Sequence, residues 1–358
     1  MINPGDTIGE RYTVIEHVGR GGMQEVYRAR DGLLEIDVAL KTPQVGQSAK
    51  RFADSAVMAA RVNNHYVAKT IDYFVDGGVA YLVEEFVDGE TLEQKLERFG
   101  FLDPHLGARV LHHLAKGVAA SHRAGVIHRD LKPSNIMGSS GVNLHNLKIT
   151  DFGIATLAAE VFDEESKAGD FTRSTSGTVR GALPYMAPEM MFRQPGEILS
   201  SAIDIWSVGA LMFKLLTGDF PFGVYLDAAV NVKNRTRKPW PAFMTEHPQF
   251  APLARELQEI VDGCLEYEPG KRPSADELVT RCQALCYLAV EREVGAVERL
   301  IQNGYSGFIA GDPEPIFFSM ESVYGLSRPN AAKNRNVCFS SFPGAPRRRA
   351  HPVIVLKS

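Results

Sequence analysis

Alternating apolar and polar residues dominate the amino-terminal quarter of the chain and predict β-strands there. Strands are predicted over 12–18, 25–30, 37–41 and 79–83, where β-branched and aromatic residues alternate with polar ones and turn residues lie between the runs. Apolar residues spaced three and four apart over 48–62 predict one helix in the same part of the chain. The pattern therefore indicates a small, mainly β-structured unit.

Helical spacing of apolar residues replaces the alternation in the following part of the chain. Helices are predicted from 91–95 onward, over 108–123, over 202–216 and within 252–288. A stretch rich in Asp, Gly and Ser over 151–182 predicts a long loop. A β-rich lobe followed by a helical lobe is an α+β arrangement with a cleft between the lobes.

The carboxyl-terminal part returns to short strands and turns from about residue 293, and its charge differs from that of the rest. The formal net charge of the 358 residues is −4, yet no Asp or Glu follows Glu321. The basic residues after that point are Arg328, Lys333, Arg335, Arg347, Arg348, Arg349 and Lys357. A basic end on an acidic body predicts a separate module with a partner of its own.

Cysteine use and hydropathy indicate a protein of a reducing compartment. Cys264, Cys282, Cys286 and Cys338 form no CxxC pair and predict buried, reduced thiols. On a helix, Cys282 and Cys286 would share one face. The start of the chain lacks the apolar core of a signal peptide, and no stretch approaches the ~20 apolar residues of a membrane span. We therefore expect a cytoplasmic protein without membrane contact.

Two short motifs in the strand-rich part suit the phosphates of a nucleotide. Gly19–Met23 (GRGGM) lies between two predicted strands, and glycines there let backbone amides approach a triphosphate closely. A simple glycine-rich hairpin turn is the alternative. Val38–Lys41 (VALK) places a lysine at a strand end, where it can pair with phosphate oxygens. Neither motif is specific by itself.

The centre of the chain carries the more specific pattern. His128–Asn135 (HRDLKPSN) is followed by Asp151–Gly153 (DFG) and then by Ala187–Glu189 (APE). Phosphoryl transfer requires a carboxylate near the attacking hydroxyl, oxygen ligands for Mg²⁺ and a cation on the transferred phosphate. The acidic, amide and lysine side chains of these motifs supply those groups in one chain.

In order and spacing, these motifs resemble the eukaryotic-like protein kinase family, in its bacterial serine/threonine branch. The resemblance covers residues 9–288 and implies a bilobal protein kinase fold, with a β-rich small lobe over 9–87 and a helical large lobe over 88–288. It implies ATP and Mg²⁺, or Mn²⁺, as cofactors. It also implies transfer of phosphate to serine and threonine hydroxyls of protein substrates.

The resemblance implies roles for the central residues. Asp130 would orient and deprotonate the substrate hydroxyl, and Lys132 would neutralise the transferring phosphoryl group. Asn135 and Asp151 would hold the metal ion. Lys41 would contact the α- and β-phosphates.

It also implies an adenine pocket, in which Val26, Ala39 and Met137 would sandwich the base. The backbone at Glu85 and Val87 would bond the edge of the base. The full set of implied ATP contacts is Gly19, Gly21, Val26, Ala39, Lys41, Glu84, Glu85, Val87 and Met137.

Further positions match supporting features of the family. Asp204 resembles the buried helix aspartate beneath the catalytic loop, and Arg272 resembles the arginine that pairs with Glu189. Arg129 resembles the arginine that meets a phosphate on the activation loop. The phosphorylation candidates, within an autophosphorylated 166–178 loop, are Thr172, Ser174, Thr175, Ser176 and Thr178. A solvated polar loop is the alternative.

Three positions depart from the family pattern, and the first two are Gln24 and Ala182. Gln24 replaces the third glycine of the phosphate loop, which should stiffen or reshape that loop. Ala182 stands where a threonine hydroxyl usually contacts the catalytic aspartate and lysine.

The third departure concerns the glutamate of the small-lobe helix that holds the strand lysine in active kinases. That position is Ser55, and the adjacent Asp54 points about 100° away on a helix. Glu84 occupies the gatekeeper position, where a buried glutamate needs a partner. We hypothesise that Glu84 replaces the helix glutamate and pairs with Lys41; the alternatives are that Glu84 turns outward or that the register is off by one.

The segment 293–358 resembles a cold-shock domain, a small all-β OB-like barrel. The resemblance rests on Val294–Leu300, Gly304–Ile309, Ile316–Met320 and Ala350–Leu356. Such barrels stack bases on surface aromatic residues and follow phosphates with basic ones. Because the link to the kinase-like part is short, the barrel is expected to sit against the large lobe and to regulate it.

Fewer aromatic residues are present than the cold-shock pattern implies. Arg299, Ser319 and Met320 stand at three of its stacking or hydrogen-bonding positions. The remaining candidates for contact with a single-stranded nucleic acid are Tyr305, Phe308, Phe317, Arg347, Arg348 and Arg349. The alternatives are that the aromatic residues form barrel core, with the domain docked on the kinase-like part or on another protein, and that the arginines form a solvated turn.

Three functions follow from these patterns. The first is an active serine/threonine kinase with a regulatory OB-like tail, which Asp130, Lys132, Asn135 and Asp151 favour. The second is a pseudokinase scaffold gated by nucleotide, which the three departures favour. The third is a nucleic-acid-responsive sensor whose output is the kinase. The sequence does not decide between a monomer and a homodimer.

Overall fold

A six-stranded antiparallel sheet forms the amino-terminal lobe of the computed structural model. The structure describes residues 2–20, 24–44, 49–152, 181–194, 196–301, 304–325 and 334–357. The strands of this sheet are β1 (Thr7–Ile8), β2 (Tyr12–Arg20), β3 (Gln24–Asp31), β4 (Ile36–Pro43), β5 (Thr70–Asp76) and β6 (Val79–Glu85). They lie in the order β1-β2-β3-β4-β6-β5. The strands predicted from alternation are present, and β1 and β5 are two that alternation did not predict.

The two faces of this sheet have different neighbours. Val38 and Leu40 on β4 lie in an apolar cluster on one face, whereas the intervening Ala39 and Lys41 line the cleft on the other. The predicted helix of this lobe is α1 (Ala49–Ala60), and it packs on the cleft-side face. Period-two alternation along β4 thus separates the core of the small lobe from the candidate site.

The second lobe is mainly helical, as predicted. Its helices are α2 (Leu92–Phe99), α3 (Pro104–Arg123), α4 (Pro188–Met191), α5 (Ala202–Thr217), α6 (Tyr225–Lys233), α7 (Ala251–Cys264) and α8 (Ala275–Ala284). A three-stranded sheet of β7 (Gly89–Thr91), β8 (Ile136–Ser139) and β9 (Lys148–Ile149) lies beneath the cleft. None of the helices in the described ranges has the length and apolar composition needed to cross a bilayer.

Helix α5 runs through the core of this lobe. It is buried along nearly its whole length, including Trp206 and Asp204, as expected for a helix that is apolar on all sides. The helix ends at Gly218, whose left-handed backbone (φ 79°) closes the last turn by a bond to the Lys214 carbonyl. The buried helix lies beneath the loop that contains His128 and Arg129, and its Asp204 accepts hydrogen bonds from their amides.

The predicted helical segment 252–288 is interrupted in the structure. Helix α7 ends at Cys264, and α8 begins only after Ser274, which caps it in a reciprocal arrangement with Glu277. Cys286 lies beyond the end of α8 and is exposed, whereas Cys282 is buried. The expectation that Cys282 and Cys286 share a helix face, and that all four thiols are buried, is therefore wrong.

The carboxyl-terminal residues form a second six-stranded sheet that curves into a barrel. Its strands are β10 (Glu293–Leu300), β11 (Ser306–Ile309), β12 (Ile316–Ser319), β13 (Val323–Tyr324), β14 (Asn336–Phe342) and β15 (Arg349–Val355). The order is β12-β11-β10-β14-β15-β13, and a parallel β12–β15 pairing closes the ring. Apolar side chains that alternate along the strands fill the interior.

A buried ion pair joins the barrel to the large lobe. Arg292 donates to both carboxylate oxygens of Asp103, at 3.0 and 2.8 Å, and the two side chains are 2% and 0% exposed. Asp103 also caps α3 by accepting from the amides of His105 and Leu106. Asn143 bonds to the Arg292 backbone in both directions, at 2.7 and 3.0 Å. The barrel therefore sits against the large lobe, as its short link predicts.

Aromatic side chains also pack across the junction between the barrel and the large lobe. The Tyr324 ring from the barrel lies 5.0 Å from Phe250 and 5.9 Å from Phe101 of the large lobe, measured between centroids. His351 stacks on Phe250 at 5.3 Å, and burial lowers the pKa of His351 to about 4. Among the described residues, the junction is thus apolar around the buried ion pair of Arg292 and Asp103.

The Arg292 ion pair should carry a large share of the stability of this junction. Arg292→Met leaves the Asp103 carboxylate buried without its cation, and we expect it to lower the free energy of unfolding by about 3–5 kcal/mol. Urea denaturation followed by circular dichroism measures the change. Arg299→Met is the matched control on β10, because Arg299 is exposed, and it should cost less than about 1 kcal/mol. Equal losses for the two variants would contradict the assignment.

Candidate active site

A cavity of about 460 Å³ lies between the two lobes, within the range of small-molecule sites, which is about 300–1,000 Å³. The predicted residues that line it are Gly19, Val26, Ala39, Lys41, Glu84, Glu85, Val87, Asp130, Lys132, Asn135, Met137 and Asp151. Gly21 lies outside the described residues. Residues far apart in the sequence therefore meet at one site.

Lys41 is the charged centre of the small-lobe side of the cleft. Its Nζ lies 2.5 Å from Glu84 Oε2 and 2.6 Å from Asp151 Oδ1, and its side chain is 6% exposed. Burial opposes its charge, but the carboxylates of Asp151 and Glu84 outweigh that effect and raise the pKa of Lys41. Burial opposes the charge of Asp151 as well, and Lys41 lowers the pKa of Asp151. The ammonium and the Asp151 carboxylate are therefore both charged at neutral pH.

The Lys41–Glu84 pair hypothesised from the sequence is present. Glu84 is 3% exposed, so it does not turn outward, and its bond to Lys41 rules out a register error. On α1, Ser55 is buried and Asp54 is exposed, as helical geometry predicts. Glu84 shares Lys41 with a second carboxylate, and burial together with the Asp151 charge raises the pKa of Glu84.

The residues of the predicted catalytic loop are held close together. Lys132 Nζ donates to Asp130 Oδ2 at 2.7 Å, and Asn135 Nδ2 donates to the same oxygen at 3.0 Å and to the Asp130 carbonyl at 2.8 Å. Ala182 is buried and has no hydroxyl to offer them. The contacts within the loop thus orient Asp130 without a threonine.

The base of this loop is fixed from below. Asp204, fully buried on α5, accepts from the backbone amides of His128 at 2.8 Å and Arg129 at 2.7 Å. Arg129 has a left-handed backbone (φ 68°), a conformation that costs energy and that the two bonds to Asp204 stabilise. The predicted role of Asp204 is confirmed by these contacts. Arg272 pairs with both oxygens of Glu189, at 2.5 and 2.9 Å, which confirms the second predicted contact.

Gln24 makes a contact that sequence reasoning missed. Its Nε2 donates to Asp151 Oδ1 at 2.6 Å, the oxygen that also accepts from Lys41. Within the described residues, Gln24 Oε1 is buried and has no hydrogen-bond partner. The sequence marked Gln24 only as an altered glycine position, since nothing local links it to a residue 127 positions away.

The predicted phosphorylation candidates lie outside the described residues. They are Thr172, Ser174, Thr175, Ser176 and Thr178, and Gly153 of the DFG motif lies there too.

Phe152, directly before Gly153, is buried in the large-lobe core with its ring 4.5 Å from His128. The position of Asp151 in the cleft is therefore fixed from the large-lobe side.

The residues at the floor of the cleft fit a divalent cation with bound nucleotide. Asn135 and Asp151 both line the cavity and offer amide and carboxylate oxygens, which are the ligands that Mg²⁺ prefers. The unpartnered Gln24 oxygen lies on a residue bonded to Asp151. The donor set is therefore one for a hard cation.

Comparison with known proteins agrees with this geometry. The family model for the protein kinase domain matches residues 12–282. The chain is 32% identical over 280 residues to the protein named serine/threonine-protein kinases drp72 of Corynebacterium efficiens, covering 75% of this chain and 49% of that protein. It is 29% identical over 374 aligned positions to serine/threonine-protein kinase PkaA of Streptomyces coelicolor, covering 98% and 63%. Serine/threonine-protein kinase PrkC of Bacillus subtilis is 30% identical over 223 residues, covering 61% and 32%.

These matches define the class of the protein. The chain belongs to the protein kinase family. It spans less than two thirds of the length of each of these three relatives, and the matched family model ends before the barrel begins.

The Gln24 contact should compete with a metal ion for Asp151. Gln24→Ala removes one donor from Asp151 Oδ1, and we expect the Mg²⁺ concentration for half-maximal nucleotide binding to fall about two- to tenfold, the equivalent of one hydrogen bond. Titration of Mg²⁺ with a fluorescent ATP analogue measures it. Gln258→Ala, on α7 and bonded to Met244, is the control. An increased Mg²⁺ requirement would show instead that Gln24 helps to hold the metal.

Proposed function

We propose that this protein is an ATP-dependent kinase that phosphorylates serine and threonine hydroxyls of proteins, with Mg²⁺ or Mn²⁺ as the metal. The observation that carries the proposal is the meeting of Asp130, Lys132, Asn135 and Asp151 in the cleft opposite Lys41. These residues supply the base, the cations and the metal ligands that phosphoryl transfer requires.

The catalytic roles follow from the contacts. Asp130 orients the substrate hydroxyl and accepts its proton. Lys132, 2.7 Å from Asp130, offsets the negative charge that develops on the transferring phosphoryl group. Asn135 and Asp151 would hold the metal ion, which supplies charge neutralisation between the phosphates when it is bound.

The nucleotide would lie against the upper wall of the cleft. Val26 and Ala39 from the small lobe and Met137 from the large lobe enclose the position of the adenine, and the backbone at Glu85 and Val87 bonds its edge. All five residues line the cavity, which supports the assignment. Lys41 then reaches the α- and β-phosphates.

We include autophosphorylation of the 166–178 loop in the proposal. The candidate hydroxyl residues Thr172, Ser174, Thr175, Ser176 and Thr178 follow the DFG motif in the sequence, as expected for a loop phosphorylated by its own chain or by a second copy. Arg129, directly before Asp130, is the cation that a phosphate there would meet. A cytoplasmic location and a homodimer remain predictions from the sequence.

The barrel supports a second candidate function, the binding of single-stranded nucleic acid. Its strand order, with a parallel β12–β15 closure, supports an OB-like barrel. Phe308 on β11 and Phe317 on β12 lie opposite each other, with ring centroids 5.9 Å apart, and both are partly exposed. They are therefore not barrel core, which favours a stacking surface.

Arginines surround these two rings. The guanidinium carbons of Arg299 and Arg347 lie 4.7 and 5.4 Å from the Phe308 centroid, and that of Arg349 lies 6.0 Å from Phe317. Cations beside partly exposed rings suit a strand of bases joined by phosphates. Two other predicted contacts are already engaged: Arg348 bonds to Ser341 and Asp312, and the Tyr305 hydroxyl bonds to Glu321 at 2.5 Å. Such binding is the route by which the barrel would regulate the kinase.

The kinase proposal predicts a dependence on Asp130. In assays with radiolabelled ATP, wild-type protein should label itself within 166–178 and label a protein acceptor, and Asp130→Asn should lower both by roughly 10²–10⁴-fold because the base is lost. Asp54→Asn, at an exposed carboxylate of α1, should retain activity. Wild-type protein that binds nucleotide but transfers no phosphate would favour the scaffold function instead.

The nucleic-acid proposal predicts a dependence on the two rings. The double variant Phe308→Ala and Phe317→Ala should weaken binding of a single-stranded oligonucleotide of about ten nucleotides to the full chain by roughly tenfold or more, since each stacked base contributes about 1–3 kcal/mol. Fluorescence anisotropy at low salt measures it. Phe192→Ala, at an exposed phenylalanine of the large lobe, is the control. Failure of the wild type to bind DNA or RNA would refute this candidate.

A further inference from the structure

The ion pair of Lys41 and Glu84 is built entirely within one sheet. Glu84 on β6 lies directly opposite Ala39 on β4, and Lys41 is two residues further along β4, opposite Leu82. Residues at such diagonal positions share a face and are within reach of long side chains. The backbone pairing of β4 with β6 therefore sets the distance between the two charges.

Helix α1 carries Ser55 at the position where the family pattern has a glutamate, so this position offers Lys41 no carboxylate. Its buried side includes Phe52, Ser55 and Ala56, and Asp54 points to solvent. Phe52 and Ala56 join an apolar cluster with Leu82 on β6. The helix thus contributes apolar packing to this face of the sheet, and the charge comes from the neighbouring strand.

The two carboxylates that pair with Lys41 would behave differently when a nucleotide and its metal ion bind. Asp151 is a proposed metal ligand, and its Oδ1 already accepts from Lys41 and Gln24. Glu84 lies deeper, 3% exposed. Lys41 Nζ has three hydrogens, so it can keep its bond to Glu84, release Asp151 to the metal and turn the freed donors to phosphate oxygens.

We propose that Glu84 is a positioning residue for the kinase reaction: it orients Lys41 toward the phosphates of the nucleotide from within the sheet, and α1 takes no part in holding Lys41. This inference rests on the proposed kinase function. Its consequence is that Lys41 stays paired whatever the position of α1, because the β4–β6 pairing and not a helix fixes the partner. Regulation of this kinase would then act elsewhere than on the Lys41 ion pair.

Glu84→Gln tests the first part of the proposal. We expect kcat to fall roughly 100-fold, comparable to the loss of one preorganised charged contact, while KM for ATP changes less than about threefold because the adenine contacts stay. Thermal unfolding confirms that the variant is folded. If Glu84→Gln does not fold, Glu84→Asp is measured instead, since it withdraws the carboxylate and should also lower kcat. A folded variant with wild-type kcat would overturn the proposal.

A double-mutant cycle shows whether Glu84 acts through Lys41. Lys41→Met should lower kcat strongly, and adding Glu84→Gln to it should cause no further loss, since the residue that Glu84 positions is already gone. A general structural role would instead give losses that multiply. Multiplying losses would therefore refute the assignment of Glu84 as a positioning residue.

Ser55→Ala tests the second part, and Asp54→Asn is its matched control on the same helix. Both should leave kcat within about twofold of wild type if α1 does not hold Lys41. A loss of tenfold or more in Ser55→Ala alone would overturn this part. Absence of phosphoryl transfer by the wild-type protein would refute the kinase function itself, whereas an active wild type with an equally active Glu84→Gln variant would refute only the inference drawn here.

Discussion

A buried ammonium group without a negative partner is among the most costly features that a fold can contain. Lys41 carries a buried ammonium group, so its position requires negative partners. Its two carboxylates come from different lobes: Glu84 from the small-lobe sheet and Asp151 from the segment after β9. The ion triad therefore joins the two lobes across the cleft and brings together the charges that a triphosphate and its metal would meet.

Much of this site could be predicted from the sequence because its residues occur in short, ordered motifs. Asp130, Lys132 and Asn135 are neighbours in the chain, so the local loop brings them together. The Lys41–Glu84 pair was also accessible, since an acidic residue in a predicted buried strand had to find a cation. The site residues that could be predicted are therefore those in short motifs and those whose buried charge requires a partner.

The contacts that sequence reasoning missed join residues far apart in the chain, and no local motif indicates them. Gln24 reaches Asp151 across 127 positions, and the pairing of Arg292 with Asp103 spans 189; in neither case does the sequence around one residue point to the other. The break between α7 and α8 was missed for a different reason, because helical apolar spacing continues on both sides of a turn that Pro269 and the Ser274 cap produce.

A barrel that follows a kinase domain could be taken for an accessory domain. In this chain, however, barrel residues complete the core of the large lobe. Tyr324, Cys338, Ile354 and Leu356 belong to the same continuous core as the helices of that lobe. The unit of folding therefore extends past residue 282, where the kinase family model ends. A protein shortened to that boundary would leave an apolar surface open to water, so expression trials and evolutionary comparisons of this chain should treat the large lobe and the barrel as one piece.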